Sequence, residues 1–190
     1  MPPKVTFSQD VVIAAGLDIV RERGFQDLSA RMIAGRLNSS TGPVYTAFSS
    51  MDELKSEVVR AAESLLMEYA MRPYTKSVFL NMGTGITLFA LENPVLFRSL
   101  FMETTGKAYF FEESIEKMAA HLDEDDLVSK LTAEGRAEVV HKMSIFTYGY
   151  ASLICTGVIR DVNKKAIIKT MIDMGGDVID SALKRHGKDK

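Results

Sequence analysis

A single cysteine, Cys155, stands in 190 residues, which excludes an internal disulfide framework and suits a reducing compartment. Charge of one sign is also missing: the formal net charge is -2, so the chain as a whole is not a polycation. The three histidines show no metal-ligand spacing. The acidic run Asp123–Asp126 lacks the alternating oxygen ligands of a calcium loop, and is expected to be a solvated loop and helix cap. Gly83-Thr84-Gly85 lacks the lysine and flanking pattern of a phosphate loop. No hydrophobic run is long enough to span a bilayer. The uncharged stretch MSIFTYGYASLICTGVI, 143–159, falls short of the ~20 residues required and contains two each of Ser, Thr, Tyr and Gly, so it reads as a buried helix. The amino terminus, MPPKVTFSQD, has no apolar run behind a basic start; no secretory leader is expected, and a cytoplasmic location is.

These absences bear on catalysis. His141 and Cys155 are the tempting nucleophile pair, but they lie fourteen residues apart on one predicted helix. That is about 21 Å along its axis, so they cannot meet within one subunit. No catalytic residue, metal or cofactor is expected, and a helical enzyme remains a remote alternative.

What is present is helical. Hydrophobic residues make up 46% of the chain, enough for a real core, and no run alternates with period two. The spacing predicts helices over about Ser8 to Arg23, Ser29 to Leu37, Thr41 to Phe48 and Ser50 to Met71. Further helices are predicted over Thr75 to Glu92, Pro94 to Phe101, Glu112 to Leu122, Ala133 to Gly157 and Lys164 to Arg185, with a short one after the acidic run. Gly24 suits a helix C-terminus, Ser29 an N-cap, and Ser50 with Glu53 a capping box. Ile13, Leu17, Val20, Phe25, Leu28, Ile33, Leu37, Val44, Phe48 and Leu54 form the expected small core of the first helices. The expected fold class is all-α: a compact three-helix domain at 1–50, then a larger helical domain at 51–190.

The segment SSTGPVYTAFSS, 39–50, carries the functional argument. On a helical wheel Val44 and Phe48 make one edge, while Gly42 and Thr46 fall on the opposite face, flanked by Pro43 and Tyr45. Proline suits a first turn because its missing N–H would be unpaired there. Gly42 lets another surface approach the backbone. Such a bare, polar-flanked face fits the major groove of DNA. The preceding helix is joined to it by roughly three residues, Asn38-Ser39-Ser40, the spacing of a helix-turn-helix. Ser29 and the amino end of that preceding helix suit a phosphate.

Residues 12–54, with "RERGF", "LSARMIAGRL", "GPVY" and "FSS" followed by Leu54, resemble the amino-terminal domain of the TetR family of transcriptional regulators. The stretch FALENPVLFRSLF, 89–101, resembles a segment found in some carboxy-terminal domains of that family. The resemblance implies a homodimeric regulator, a repressor by family default. It reads a palindromic operator and is released by a small molecule held in the carboxy-terminal domain. Position by position, it implies phosphate contacts from Ser29, Arg31, Ser50 and Lys55, base-facing roles for Thr41, Pro43 and Thr46, and a backbone contact from Tyr45. Ser40 and Gly42 complete the expected DNA-facing set. The chain departs from the family at Met51 and Thr41, where lysine is common, at Thr46 and Ala47, where an aromatic or histidine is common, and at Gly16. Residues 1–60 hold seven basic and seven acidic side chains, so few phosphate contacts and a shallow salt dependence are expected.

Beyond residue 50, nine of eleven methionines and a run of phenylalanines suit an adaptable apolar pocket. Met82, Phe97, Phe101, Met102, Phe110, Met143 and Tyr150 are the expected wall residues, with Asn81, Thr87 and Arg98 as polar candidates and an apolar or aromatic effector. Core packing is the plain alternative for each, and a protein partner in place of a small molecule is the alternative for the effector. The last two helices are expected to pair two subunits. Val139, Met143, Phe146, Tyr150, Leu153 and Gly157 would form one face, and Ile168, Ile172, Gly175, Ile179 and Ala182 the other, with Gly175 and Gly176 allowing close helix contact.

Overall fold

Helix caps set the frame of the chain. The structure, a computed structural model, describes residues 6–103 and 125–187. Among them run α1 (Gln9–Arg23), a 3-10 turn (Phe25–Asp27), α2 (Ala30–Arg36), α3 (Gly42–Ala47), α4 (Met51–Ala70), α5 (Val78–Glu92), α6 (Pro94–Phe101), α7 (Ala133–Cys155) and α8 (Lys164–His186). The architecture is all-α. The predicted helix at Glu112 to Leu122 lies outside the described residues, as do Asp123 and Glu124 of the acidic run.

Ser8 opens α1, its hydroxyl oxygen accepting from the Val11 N–H at 3.4 Å. Gly24 closes it at φ 89, its N–H donating to the Val20 carbonyl at 2.9 Å. A side chain at Gly24 would be strained by that φ and would meet Ser99 Oγ at 2.9 Å.

The described residues form two compact units. The first comprises the chain up to Leu65 together with the segment from Asn93. Its core is Val12, Ile19, Val20, Leu28, Ile33, Val44, Phe48, Leu54 and Val58, joined by Leu96 and Phe97 of α6. Arg21 Nε donates to Asn93 Oδ1 at 3.0 Å, tying α6 to α1. The inward face of α1 differs from the expected one. Val12, Gly16 and Ile19 are buried, whereas Ile13 and Leu17 are only half-buried. Apolar residues occupy nearly every position from 11 to 17, so periodicity predicts a helix but not its phase. Gly16 decides the phase, because a Cβ there would lie 2.7 Å from Val58 Cγ2 of α4.

The second unit comprises Leu66–Glu92 and the carboxy-terminal helices. Its axis is α5, buried over most of its length between α7 and α8. Glycines set the close approaches: a Cβ on Gly83 would meet Met171 Cε at 2.3 Å, and one on Gly85 would meet the Tyr69 carbonyl oxygen at 2.1 Å. The helix begins at Val78 and not at Thr75, because Asn81 holds the preceding turn. Asn81 Oδ1 accepts from the N–H groups of Thr75 at 2.6 Å and Tyr74 at 3.1 Å, and its amide donates to the Thr75 carbonyl at 3.2 Å.

Of the acidic run, Asp126 is exposed as expected, but Asp125 is a buried cap. Asp125 is 2% exposed and accepts from Ser77 Oγ at 2.7 Å, the Phe79 N–H at 2.9 Å and the Leu127 N–H at 2.9 Å. It therefore caps α5, forty-six residues earlier, and the residues after it form turns in place of the expected short helix. Burial pushes its carboxyl up, but the hydrogen bonds from Phe79, Ser77, Leu127 and Val128 outweigh this and hold it below the ordinary carboxylate value. At the far end of the unit the Thr132 N–H donates to the His186 carbonyl at 3.0 Å, and Glu138 of α7 takes Lys142, Arg185 and His186. Lys142 and then Arg185 draw the Glu138 carboxyl down to about 2.

Candidate nucleic-acid interface

α2 and α3 are joined by a turn whose sharpness comes from one residue. Asn38 adopts the left-handed conformation at φ 50, which asparagine tolerates, and brings the Ser39 N–H back to the Ala34 carbonyl at 2.9 Å. α2 starts at Ser29, whose Oγ accepts from the Met32 N–H at 3.3 Å. α3 starts after Thr41, whose carbonyl accepts from Val44 at 3.1 Å and Tyr45 at 3.2 Å. Thr41 makes no side-chain capping bond, and Pro43 occupies the first turn.

The two edges of α3 are as unlike as its wheel implies. Val44 and Phe48 are buried, at 1% and 2% exposure, while Gly42 and Thr46 are exposed and Tyr45 is 55% exposed. A Cβ on Gly42 would find nothing nearer than Ser40 Oγ at 3.7 Å, so no internal packing requires glycine there. Side-chain bonds hold the helix at its carboxy end. Gln9 Nε2 of α1 donates to the Ala47 carbonyl at 2.9 Å. At the α4 start, Ser50 Oγ accepts from the Glu53 N–H at 3.1 Å, and the Glu53 carboxylate accepts from Ser49 Oγ at 2.5 Å and the Ser49 N–H at 2.8 Å. Those two bonds from Ser49 hold the Glu53 carboxyl below its usual value.

Each residue expected to face DNA falls in the first unit, on the amino ends of α2 and α4 or on α3 with its preceding turn. Ser29, Arg31, Ser40, Thr41, Gly42, Tyr45, Thr46, Ser50 and Lys55 are exposed, and Pro43 is half-buried. The charge balance is tighter than the count suggests. Arg36 grips Glu22 with two bonds, at 3.0 and 2.6 Å, and Arg60 pairs with Glu57 at 2.6 Å. The Arg36 hydrogen bond lowers the Glu22 carboxyl. Sequence reasoning overlooked Gln9, whose partner lies thirty-eight residues away. Asn38 was legible, because asparagine is favoured just past a helix end.

The residues expected to line an effector pocket are divided. Phe97, Phe101 and Met102 belong to the first unit, where the rings of Phe97 and Phe101 lie 4.7 Å apart. Met82, Met143 and Tyr150 belong to the second. Phe97, Met82 and Met143 are buried, Phe101 and Tyr150 half-buried, and Met102 exposed. Phe110 lies outside the described residues. Asn81 is committed to its turn, and the Thr87 hydroxyl donates to the Gly83 carbonyl at 2.9 Å within its own helix. Arg98 is exposed.

The expected pairing faces need correction. Val139, Met143, Ile179 and Ala182 are buried inside the second unit, and Gly175 receives Leu80 of α5, whose Cδ2 would lie 2.2 Å from an added Cβ. Those five residues thus pack within the chain, whereas Leu153, Gly157 and Ile172 of the same two patterns stay exposed. The apolar side chains left exposed on α7 and α8 are Ile145 at 63%, Leu153 at 43% and Ile172 at 43%, with nothing within 4 Å of a Cβ on Gly149 or Gly176. His141 is exposed on α7 and Cys155 buried at its end. No described helix is long and apolar enough to cross a membrane.

The first unit thus has the arrangement of a helix-turn-helix domain with its second helix presented outward. No protein-family model matches the sequence, and no curated protein matches it. Solved structures do. A TetR-like transcriptional regulator from Rhodococcus sp. RHA1 is similar with a TM-score of 0.61 and 16% identity, over 88% of this chain and 92% of that one. A TetR family transcription regulator from Marinobacter aquaeolei VT8 is similar with a TM-score of 0.63 and 16% identity, over 90% of this chain and 94% of that one. A second transcriptional regulator from Rhodococcus sp. gives 0.61 and 15%, over 95% and 98%. The fold of this chain is that of TetR-like transcriptional regulators.

Proposed function

We propose that the chain is a ligand-responsive transcriptional regulator, acting as a repressor in the cytoplasm. It binds a palindromic operator as a homodimer and is released by an apolar or aromatic small molecule. The observation that carries this reading is the presentation of α3: a six-residue helix with Val44 and the following Phe48 buried, Gly42, Tyr45 and Thr46 exposed, and its carboxy end tied down by side chains from α1 and α4. A helix held rigidly with a bare outer face suits insertion into a groove. In this reading residues 1–50 contact DNA, and residues 51–190 hold the effector and pair the subunits. The exposed Ile145, Leu153 and Ile172 are the groups that a second copy would cover. Methionines and phenylalanines concentrated beyond residue 50 support an adaptable apolar effector site.

The test is a fluorescence-anisotropy titration of the full chain against the DNA flanking its own gene, at two salt concentrations, beside a scrambled duplex. The expected result is selective binding at two subunits per site with a shallow salt slope. Equal binding to both duplexes, together with failure to enrich any sequence from a randomised pool, overturns the reading.

A further inference from the structure

The groove-facing helix has an unusual chemistry. From Ser39 to Met51 the chain reads SSTGPVYTAFSSM, without one charged or amide side chain. Guanine is read at O6 and N7 by Arg or Lys, adenine at N6 and N7 by Asn or Gln, and the cytosine amino group by Asp or Glu. α3 offers none of these. It offers hydroxyls and methyls, and part of the hydroxyl set is already spoken for. Thr46 Oγ1 donates to the Gly42 carbonyl at 3.0 Å, and Ser39 Oγ donates to the Ser40 carbonyl at 3.0 Å. With its hydroxyl tied to its own helix, exposed Thr46 has a methyl group left to meet a partner. Gly42, one turn earlier on the same face, adds no side chain to hold that methyl away from a base edge.

The apolar group that DNA shows in the major groove is the C5-methyl of thymine. We propose that α3 reads thymine methyls, with Thr46 as the residue that sets the preference, so that each half-site carries T·A pairs where the helix enters and its recognition there does not depend on guanine. This rests on the helix-turn-helix regulator reading above. The rival source of base readout is Arg31 on α2, whose exposed guanidinium suits guanine.

The full chain is used to select duplexes from a randomised pool, and the winning duplex is then remade with altered bases. Replacing the contacted thymine by deoxyuridine, which removes only the methyl, is expected to weaken binding about fourfold per half-site and roughly fifteenfold when both half-sites are changed. Replacing guanine by 7-deazaguanine leaves binding unchanged. Thr46→Ser, which keeps the hydroxyl and loses the methyl, abolishes the preference for thymine over uracil; Thr46→Val retains that preference. The inference is overturned if the uracil duplex binds as well as the thymine duplex while 7-deazaguanine weakens binding. Loss of that guanine dependence in Arg31→Ala would assign the readout to α2. A pool from which nothing is enriched overturns the regulator reading itself, whereas an enriched site dependent on guanine overturns the thymine reading alone.

Discussion

A methyl group on residue 85 would sit 2.1 Å from the carbonyl oxygen of Tyr69, a backbone atom that cannot swing aside. Gly85→Ala is therefore expected to destabilise the fold by about 3 kcal/mol, at the upper end of overpacking costs, measured as the shift of the urea midpoint. Asp125 makes the complementary case. Removing its carboxylate leaves the Phe79 and Leu127 N–H groups and the Ser77 hydroxyl without their acceptor in a buried place, a cost of about 2 kcal/mol for Asp125→Ala at neutral pH. The folded carboxyl titrates below its ordinary value, so its contribution is complete above the unfolded value of about 4 and disappears as pH falls through the folded value. The stability gap between parent and Asp125→Ala should narrow in urea melts taken below about pH 4. A gap that stays constant with pH would mean that the carboxylate charge is not what matters there.

Among the elements, α3 depends most on others. At six residues it is too short to persist alone, and its burial, the Gln9 bond and the Ser49–Glu53 bonds hold it. Tyr45 contributes little to that hold, being 55% exposed on a helix fixed elsewhere. Tyr45→Ala is thus expected to cut operator affinity tenfold or more, with unchanged circular dichroism and subunit association. Unaltered binding by that variant would show that α3 does not face DNA. Helix positions and ends were largely legible in the sequence here, because Ser8, Gly24, Ser29, Asn38 and Pro43 are local signals read over three or four residues. The phase of α1 was not. Its consecutive apolar residues leave two faces open, and the contact between Gly16 and Val58 chooses between them.

For the whole molecule, the question is which apolar surface stays outside. α7 and α8 bury Val139, Met143, Ile167, Met171 and Ile179 against α5 or each other, and leave Ile145, Leu153 and Ile172 in solvent. A double substitution, Ile145→Glu with Ile172→Glu, is expected to yield monomers in sedimentation while keeping the helical signal. It should also lower affinity for a two-half-site duplex at least tenfold, because an unpaired subunit engages one half-site only. Dimers persisting at micromolar concentration would place the subunit contact elsewhere.

The sequence by itself determined what depends on neighbours a few residues apart. The all-helical class follows from period and composition, the turn between α2 and α3 from its spacing and Asn38, and the contrast between the two edges of α3 from a helical wheel. Tertiary structure decided everything that rests on distant partners. Asp125 became the buried cap of a helix forty-six residues away, Gly175 became a seat for Leu80, and α6 joined the amino-terminal unit through Asn93 and Phe97. A periodic apolar face must be buried somewhere. Whether its own chain or a second subunit covers it depends on packing that no local pattern encodes.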